Sequence, residues 1–276
     1  MRVDSHHHFW RYNAIEYPWI TDGMERLRRD FSPRLLLPEL DAAGIDRVVS
    51  VQARQTLEET EWLLDLAKEN EFVAGVVGWA PLASPRVRGD LQRLAENEEL
   101  KGVRHSLQDE PDDEYMLRSD FNLGVSALKE FGLVYDLLVL ERHLPAAIRL
   151  VDRHPEQVFV LDHLAKPRIR EGVLSPWKER LFELARRENV RCKLSGLVTE
   201  ADWGAWTESD LRPYVDAALE AFGPARLMFG SDWPVCLLAC PYQRWWSVAR
   251  GLIGRLSQTE QDQVLGRTAA ETYRLS

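Results

Sequence analysis

Eight short runs of β-branched and apolar residues recur along the chain, at 2–4, 47–53, 72–79, 100–105, 133–139, 158–163, 190–196 and 226–232. Runs this short and this continuously apolar mark strands covered on both faces. The longer stretches between them carry a helical period instead. In 56–71, Leu57, Leu63, Leu64 and Ala67 fall on one face, and Thr56 with Glu59 has the spacing of a capping box at a helix start. Eight covered strands, each followed by a helix, predict an α/β chain that closes as a single (β/α)8 TIM barrel over residues 1–276. The strand count carries most of the weight against an open doubly wound sheet. Ser257 and Glu260 form a second capping box, opening an extra C-terminal helix that runs through Gln261 to Tyr273. No linker, repeat or low-complexity tract divides the chain.

Composition narrows the class. With 276 residues, 45% of them hydrophobic and 29% charged, the chain can build one large core without an oligomer or metal to staple it. No apolar run approaches the roughly 20 residues of a membrane span, and the opening MRVDSHHHFW lacks the apolar centre of a signal peptide. A cytoplasmic protein with no membrane partner is therefore expected. Three cysteines cannot all pair, which suits a reducing compartment, and Cys236 and Cys240 lack the second pair a metal site would need; they read as packed thiols. The 35 basic against 44 acidic residues leave a net charge of −9, which disfavours nucleic acid and favours a small-molecule substrate. No feature of the pattern specifies an oligomer.

Polar residues at the ends of buried strands carry the chemistry, because a buried ionisable group is costly unless paired, ligated or catalytic. The first strand ends in Asp4-Ser5-His6-His7-His8, where a period of two turns His6 and His8 into the mouth and His7 outward. VFVLDHL delivers His163, and RLMFGSDWP delivers Asp232 just before a proline. Three histidines and a carboxylate thus meet at one rim. Two long connections at the same end, WRYNAIEYPWITDGMERLRRDF and LVTEADWGAW, read as walls or lids of a pocket. Glu141 and His143 have the periodicity of first-turn helix residues, and Ser195 lacks the glycine elbow of a nucleophile.

The pattern resembles the amidohydrolase superfamily, whose barrels carry His-x-His after strand 1, later histidines and an aspartate at the end of strand 8. DSHHHFWRY, KGVRHSLQDE, YDLLV, LDHLAKP, CKLSGLVTEADW and MFGSDWPVCLLA are similar to its sugar-lactonase branch, the L-fuconolactonases nearest and the L-rhamnonolactonases close by. The resemblance covers the whole chain and implies hydrolysis of a neutral aldonolactone, L-fucono-lactone-like, to the sugar acid. Asp232 would activate water, while His6, His8 and His163 polarise the carbonyl directly or through one divalent ion such as zinc. The binuclear members need a bridging lysine or acid at strand 4 or 5, and strand 4 here ends in Val103-Arg104-His105. At most one ion is expected, held by His6 and His8 with His163 or Asp232; the branch also includes members that work without metal.

For the substrate's hydroxyls the strand ends offer Gln52, Arg104, His105, Tyr135, Asp136 and Lys193. Alternation lets only one of Arg104 and His105, and one of Tyr135 and Asp136, face inward. Trp10, Trp79 and Trp233 are candidates to stack on the C–H face of a sugar ring. Three rival functions stand beside this reading: a zinc-dependent decarboxylase, a lactonase for an aromatic-derived dicarboxylate, and a sugar-binding barrel without catalysis. The dicarboxylate would want several converging arginines, and among strand-end residues only Arg104 and Lys193 offer charge.

Overall fold

A computed structural model describes residues 1–276 and resolves the eight runs into eight parallel strands. These are β1 (Val3–His7), β2 (Arg47–Val51), β3 (Val73–Gly78), β4 (Leu100–His105), β5 (Val134–Leu137), β6 (Phe159–Leu161), β7 (Val190–Leu194) and β8 (Leu227–Phe229). They pair in sequence order, and the ring closes where His7 bridges Trp233 and the His8 N–H donates to the Trp233 carbonyl at 2.7 Å. The helices are α1 (Pro33–Ala43), α2 (Leu57–Glu69), α3 (Val87–Leu94), α4 (Ser119–Leu128), α5 (Leu144–Arg153), α6 (Trp177–Ala185), α7 (Leu197–Glu200), α8 (Glu208–Phe222), α9 (Tyr242–Leu252), α10 (Gln258–Asp262) and α11 (Thr268–Tyr273). The fold is the (β/α)8 barrel with C-terminal helical residues. No helix is long and apolar enough to cross a membrane.

Alternation along the strands builds two apolar layers. Val48, Val76, Val103, Tyr135, Phe159, Leu161, Leu227 and Phe229 point out to the helices, in a core of 76 buried residues. Val49, Val51, Val77, Val134, Val160 and Met228 point in, and with Val3 they meet Ala269 and Tyr273 of α11 at the barrel's N-terminal end. The C-terminal helix thus plugs the barrel. Its Ser257–Glu260 capping box is present, but a π-helical turn at Gln263–Arg267 separates α10 from α11, so the single expected helix is two.

Two local departures shape the site. Several strands end before their apolar runs do, β6 at Leu161 and β8 at Phe229, which frees 162–166 and 230–234 to curl over the mouth. In β1 the register against β2 shifts between Asp4 and His7, so Val3 and His6 both reach the interior although three positions separate them. Asp4 consequently does not share the side of His6; it accepts the Tyr242 hydroxyl of α9 at 3.0 Å.

Candidate active site

The inward positions one layer above the apolar plug are charged. Lys193 of β7 places Nζ 2.5 Å from Asp136 Oδ2, 3.1 Å from Asp162 Oδ1 and 3.1 Å from His6 Nδ1. The ammonium thus sits between two carboxylates and an imidazole. Arg104 Nη1 donates to Asp162 Oδ2 at 3.0 Å, and the Tyr273 hydroxyl donates to Asp136 at 2.9 Å. Two cations and two carboxylates, none more than 4% exposed, therefore balance beneath the mouth. Burial pushes the Asp136 carboxyl up to about 6 against the pull of Lys193. Burial acts on Asp162 in the same sense, but Lys193, His6 and Arg104 outweigh it and hold that carboxyl well below its ordinary range.

Above this floor stand His6, His8, His163 and Asp232, all buried. Asp232 Oδ1 lies 3.4 Å from His8 Nε2, 3.7 Å from His6 Nε2 and 4.0 Å from His163 Nε2. Two of the four are held in strained backbone: Asp232 at φ 55° and His163 at φ 52°, the latter opening four consecutive left-handed residues through Lys166. Strand periodicity turns Asp162 inward; the left-handed turn then brings the next side chain, His163, into the same mouth. The turn is packed against Gly196, where a Cβ would lie 2.6 Å from His163 Nδ1. Ser195 Oγ sits 2.9 Å from that same nitrogen.

Hydrogen bonding and burial set the protonation states. His8 Nδ1 is 2.8 Å from the Val51 carbonyl, which can only accept, so Nδ1 carries a proton and Nε2 faces the mouth. Burial, with Lys193 nearby, holds His6 well below its ordinary value, and burial lowers His163 to about 4. Both rings are neutral near pH 7. Burial raises the Asp232 carboxyl, but His163, the hydrogen bond with His8 and Lys166 prevail and bring it below its ordinary value. A carboxylate ionised at neutral pH thus faces three imidazoles.

A cavity of about 520 Å³ opens over this cluster. Of the residues expected at the site, His8, Gln52, Arg104, His163 and Asp232 line it, with His6 directly beneath. Lys193 is wholly buried in the charged floor and reaches no hydroxyl. Alternation turns His105 and Tyr135 out of the barrel. His105 stacks on Tyr115 and bonds Glu110 at 2.7 Å, while Tyr135 packs between Phe121 and Phe159. Trp79 donates its indole N–H to His105 at 3.3 Å, on the same outer side. Trp10 donates to the Arg29 carbonyl at 2.9 Å and Trp233 packs on Phe9 and Phe31, so none of the three tryptophans is placed to stack on a ligand. Trp19 does line the cavity, in a T-shaped contact with Trp10 at 5.5 Å between ring centres, both from the aromatic segment after β1. The segment after β7 does not line the cavity; its Trp206 is buried and Trp203 lies on the surface.

Several lining residues carry no strand-end signal: Glu16, Arg54, Gln108 and Lys166 sit in connections. Asp162 did carry one, a charge at the inward register of an apolar run. Each cation at the cavity has an acidic neighbour: Arg54 with Glu16 at 2.6 Å, Arg104 with Asp162 at 3.0 Å, and Lys166 with Glu200 at 4.0 Å.

The donor set fits one divalent ion. Tetrahedral bonds of about 2.0 to 2.1 Å put ligand atoms roughly 3.3 to 3.4 Å apart. The separations among His6 Nε2, His8 Nε2 and Asp232 Oδ1 are 3.2, 3.4 and 3.7 Å. A second grouping, His6 with Asp162 and His163, fits poorly because Arg104 and Lys193 already neutralise Asp162.

Comparison with known proteins agrees with this geometry. A family profile described as Amidohydrolase matches residues 3–275. An L-fucono-1,5-lactonase of Burkholderia multivorans is 46% identical over 288 residues, covering 100% of this chain and 96% of that protein. An L-fucono-1,5-lactonase of Burkholderia ambifaria is 38% identical, covering 99% and 96%. The crystal structure of an amidohydrolase from Burkholderia multivorans with bound zinc superposes with a TM-score of 0.95 at 46% identity, covering 100% of each chain.

Proposed function

The chain belongs to the amidohydrolase family, and we propose that it hydrolyses a neutral aldonolactone, L-fucono-1,5-lactone first, to the sugar acid. The reading rests on one observation: an ionised Asp232 converges with three imidazoles at the floor of a cavity whose two guanidiniums, Arg54 and Arg104, are each paired with an acid. A substrate carboxylate would find no free guanidinium pair to grip it, which weighs against the dicarboxylate lactone.

Opening a lactone requires a base for water, a positive group at the carbonyl oxygen and a proton for the ring oxygen. Asp232 takes a proton from water as the water oxygen bonds to the carbonyl carbon. The oxyanion is stabilised by the guanidinium of Arg104, whose Nη1 lies 3.4 Å from His6 Nε2, together with the imidazole edges of the cluster. Collapse breaks the bond between carbonyl carbon and ring oxygen, and Asp232 returns its proton to the departing alkoxide. His8, whose Nε2 lies 3.4 Å from Asp232 Oδ1, orients the attacking water. Trp19 offers a flat face to the ring, and Gln52 a donor and acceptor to its hydroxyls. His6, His8 and Asp232 would hold one divalent ion where it is bound, and that ion would add Lewis-acid polarisation of the carbonyl.

A pH-indicator screen of aldonolactones and one dicarboxylate lactone, with and without chelator, tests the reading. L-Fucono-1,5-lactone is expected to give the highest kcat/KM. A dicarboxylate lactone exceeding every aldonolactone would overturn it.

A further inference from the structure

One buried carboxylate beside the cavity has no part in the reaction above. Glu59 lies in the first turn of α2 and is 1% exposed. Thr56 already caps that helix by accepting the Glu59 N–H at 3.1 Å, and the Glu59 side chain turns away to the rim. Its Oε2 accepts the backbone N–H groups of Ala53 at 2.9 Å and Arg54 at 2.8 Å; its Oε1 accepts the Tyr17 hydroxyl at 3.1 Å. Ala53 and Arg54 belong to the connection after β2, Tyr17 to the segment after β1, and both connections line the cavity.

Two further bonds join these walls to each other. The Trp19 indole N–H donates to the Ala53 carbonyl at 3.0 Å, and Arg54 pairs with Glu16 at 2.6 Å. Neither bond reaches a helix of the barrel. Glu59 is the group that ties both walls to one, by three hydrogen bonds from a side chain that burial makes expensive to ionise. Its carboxyl is pushed up to about 7, burial prevailing over the hydrogen bonds that oppose it.

We propose that Glu59 is a positioning residue that clamps the walls after β1 and β2 into one rigid face, fixing Trp19 and Arg54 for the lactone. It acts on substrate affinity and leaves the chemical step to Asp232. The kinetic half of this inference rests on the lactonase reading; the mechanical half does not.

Three variants test it. Glu59→Ala removes all three acceptor contacts. Glu59→Gln keeps one oxygen for the two backbone N–H groups and an amide N–H for the Tyr17 oxygen. Tyr17→Phe cuts the link to the first wall alone. The expected result for Glu59→Ala is a KM raised about tenfold or more, with kcat within about threefold of native, and Glu59→Gln restores KM to within about threefold. Tyr17→Phe falls between them and adds nothing further in the Glu59→Ala background. Amide exchange over residues 13–20 and 52–55 quickens in Glu59→Ala and not in Glu59→Gln. Native KM in folded Glu59→Ala, a lost kcat at unchanged KM, or unchanged exchange in the two walls overturns the proposal. Should Glu59→Ala fail to fold, Tyr17→Phe must still quicken exchange over 13–20, and unchanged exchange there overturns it equally. Should the native protein hydrolyse no lactone, the proposed activity fails alone and the exchange comparison still decides the clamp.

Discussion

Replacing Lys193 by methionine keeps an unbranched side chain, one heavy atom shorter, and removes one charge from a buried, balanced quartet. Asp162 retains Arg104 at 3.0 Å, so the carboxyl left without a cation is Asp136, whose remaining partner is the Tyr273 hydroxyl. Breaking a buried pair costs about 3 to 5 kcal/mol when the orphan stays charged. Asp136 has an escape. It already stands at about 6 in the presence of the ammonium, and without that charge burial drives it higher still. A carboxyl raised above its unfolded value near 3.8 contributes full stability below that value and loses it as pH rises through the folded one. The deficit of Lys193→Met against the native protein should therefore be largest near pH 8 and shrink toward pH 5, by at most about 1.4 kcal/mol per pH unit. Urea denaturation followed by far-ultraviolet circular dichroism at pH 5, 6, 7 and 8 measures this. Adding Asp136→Asn should restore most of the loss at pH 8. A deficit below about 1 kcal/mol at pH 8, or one independent of pH, would refute the reasoning.

The same sign governs Glu59, raised from 4.5 to about 7: its stabilisation is complete below pH 4.5 and lost as pH rises through 7. Glu59→Gln should match the native protein near pH 4 and exceed it by up to about 3 kcal/mol at pH 8, read from urea midpoints across that range. Trp19→Ala should raise KM for L-fucono-1,5-lactone about tenfold with kcat little changed, whereas Trp233→Phe should lower Tm and leave KM near native; the reverse assignment would move the stacking surface elsewhere. Calorimetric titration with zinc should saturate at one equivalent per chain and lose that site in His8→Ala, and two equivalents held at the cluster would contradict the single-ion geometry.

Periodicity made part of this site legible. A barrel of eight covered strands follows from eight apolar runs, and the period of two correctly allowed only one of Arg104 and His105, and one of Tyr135 and Asp136, to face inward. Its reach ends with the ladder. The register shift in β1 moved Asp4 to the side of α9, and the left-handed turn after β6 carried His163 into a mouth already entered by Asp162. Asp162 was available to the same alternation that left Asp136 open beside Tyr135, since Val160 and Asp162 differ by two. Trp19, Arg54 and Lys166 were not, because connection residues are placed by hydrogen bonds to particular partners rather than by any period. The tryptophans at strand ends, Trp79 and Trp233, pack against neighbours for a related reason: an aromatic at the rim does so unless a cavity is left open to it.

Water activation by Asp232 in lactone opening stands or falls with Asp232→Asn, because the amide keeps the shape and loses the proton acceptor. The measurement is kcat and KM for L-fucono-1,5-lactone in the native protein and in the folded variant at pH 7. In the variant kcat is expected to fall by about 10² to 10⁴ while KM moves far less. A folded Asp232→Asn protein with near-native kcat would contradict it.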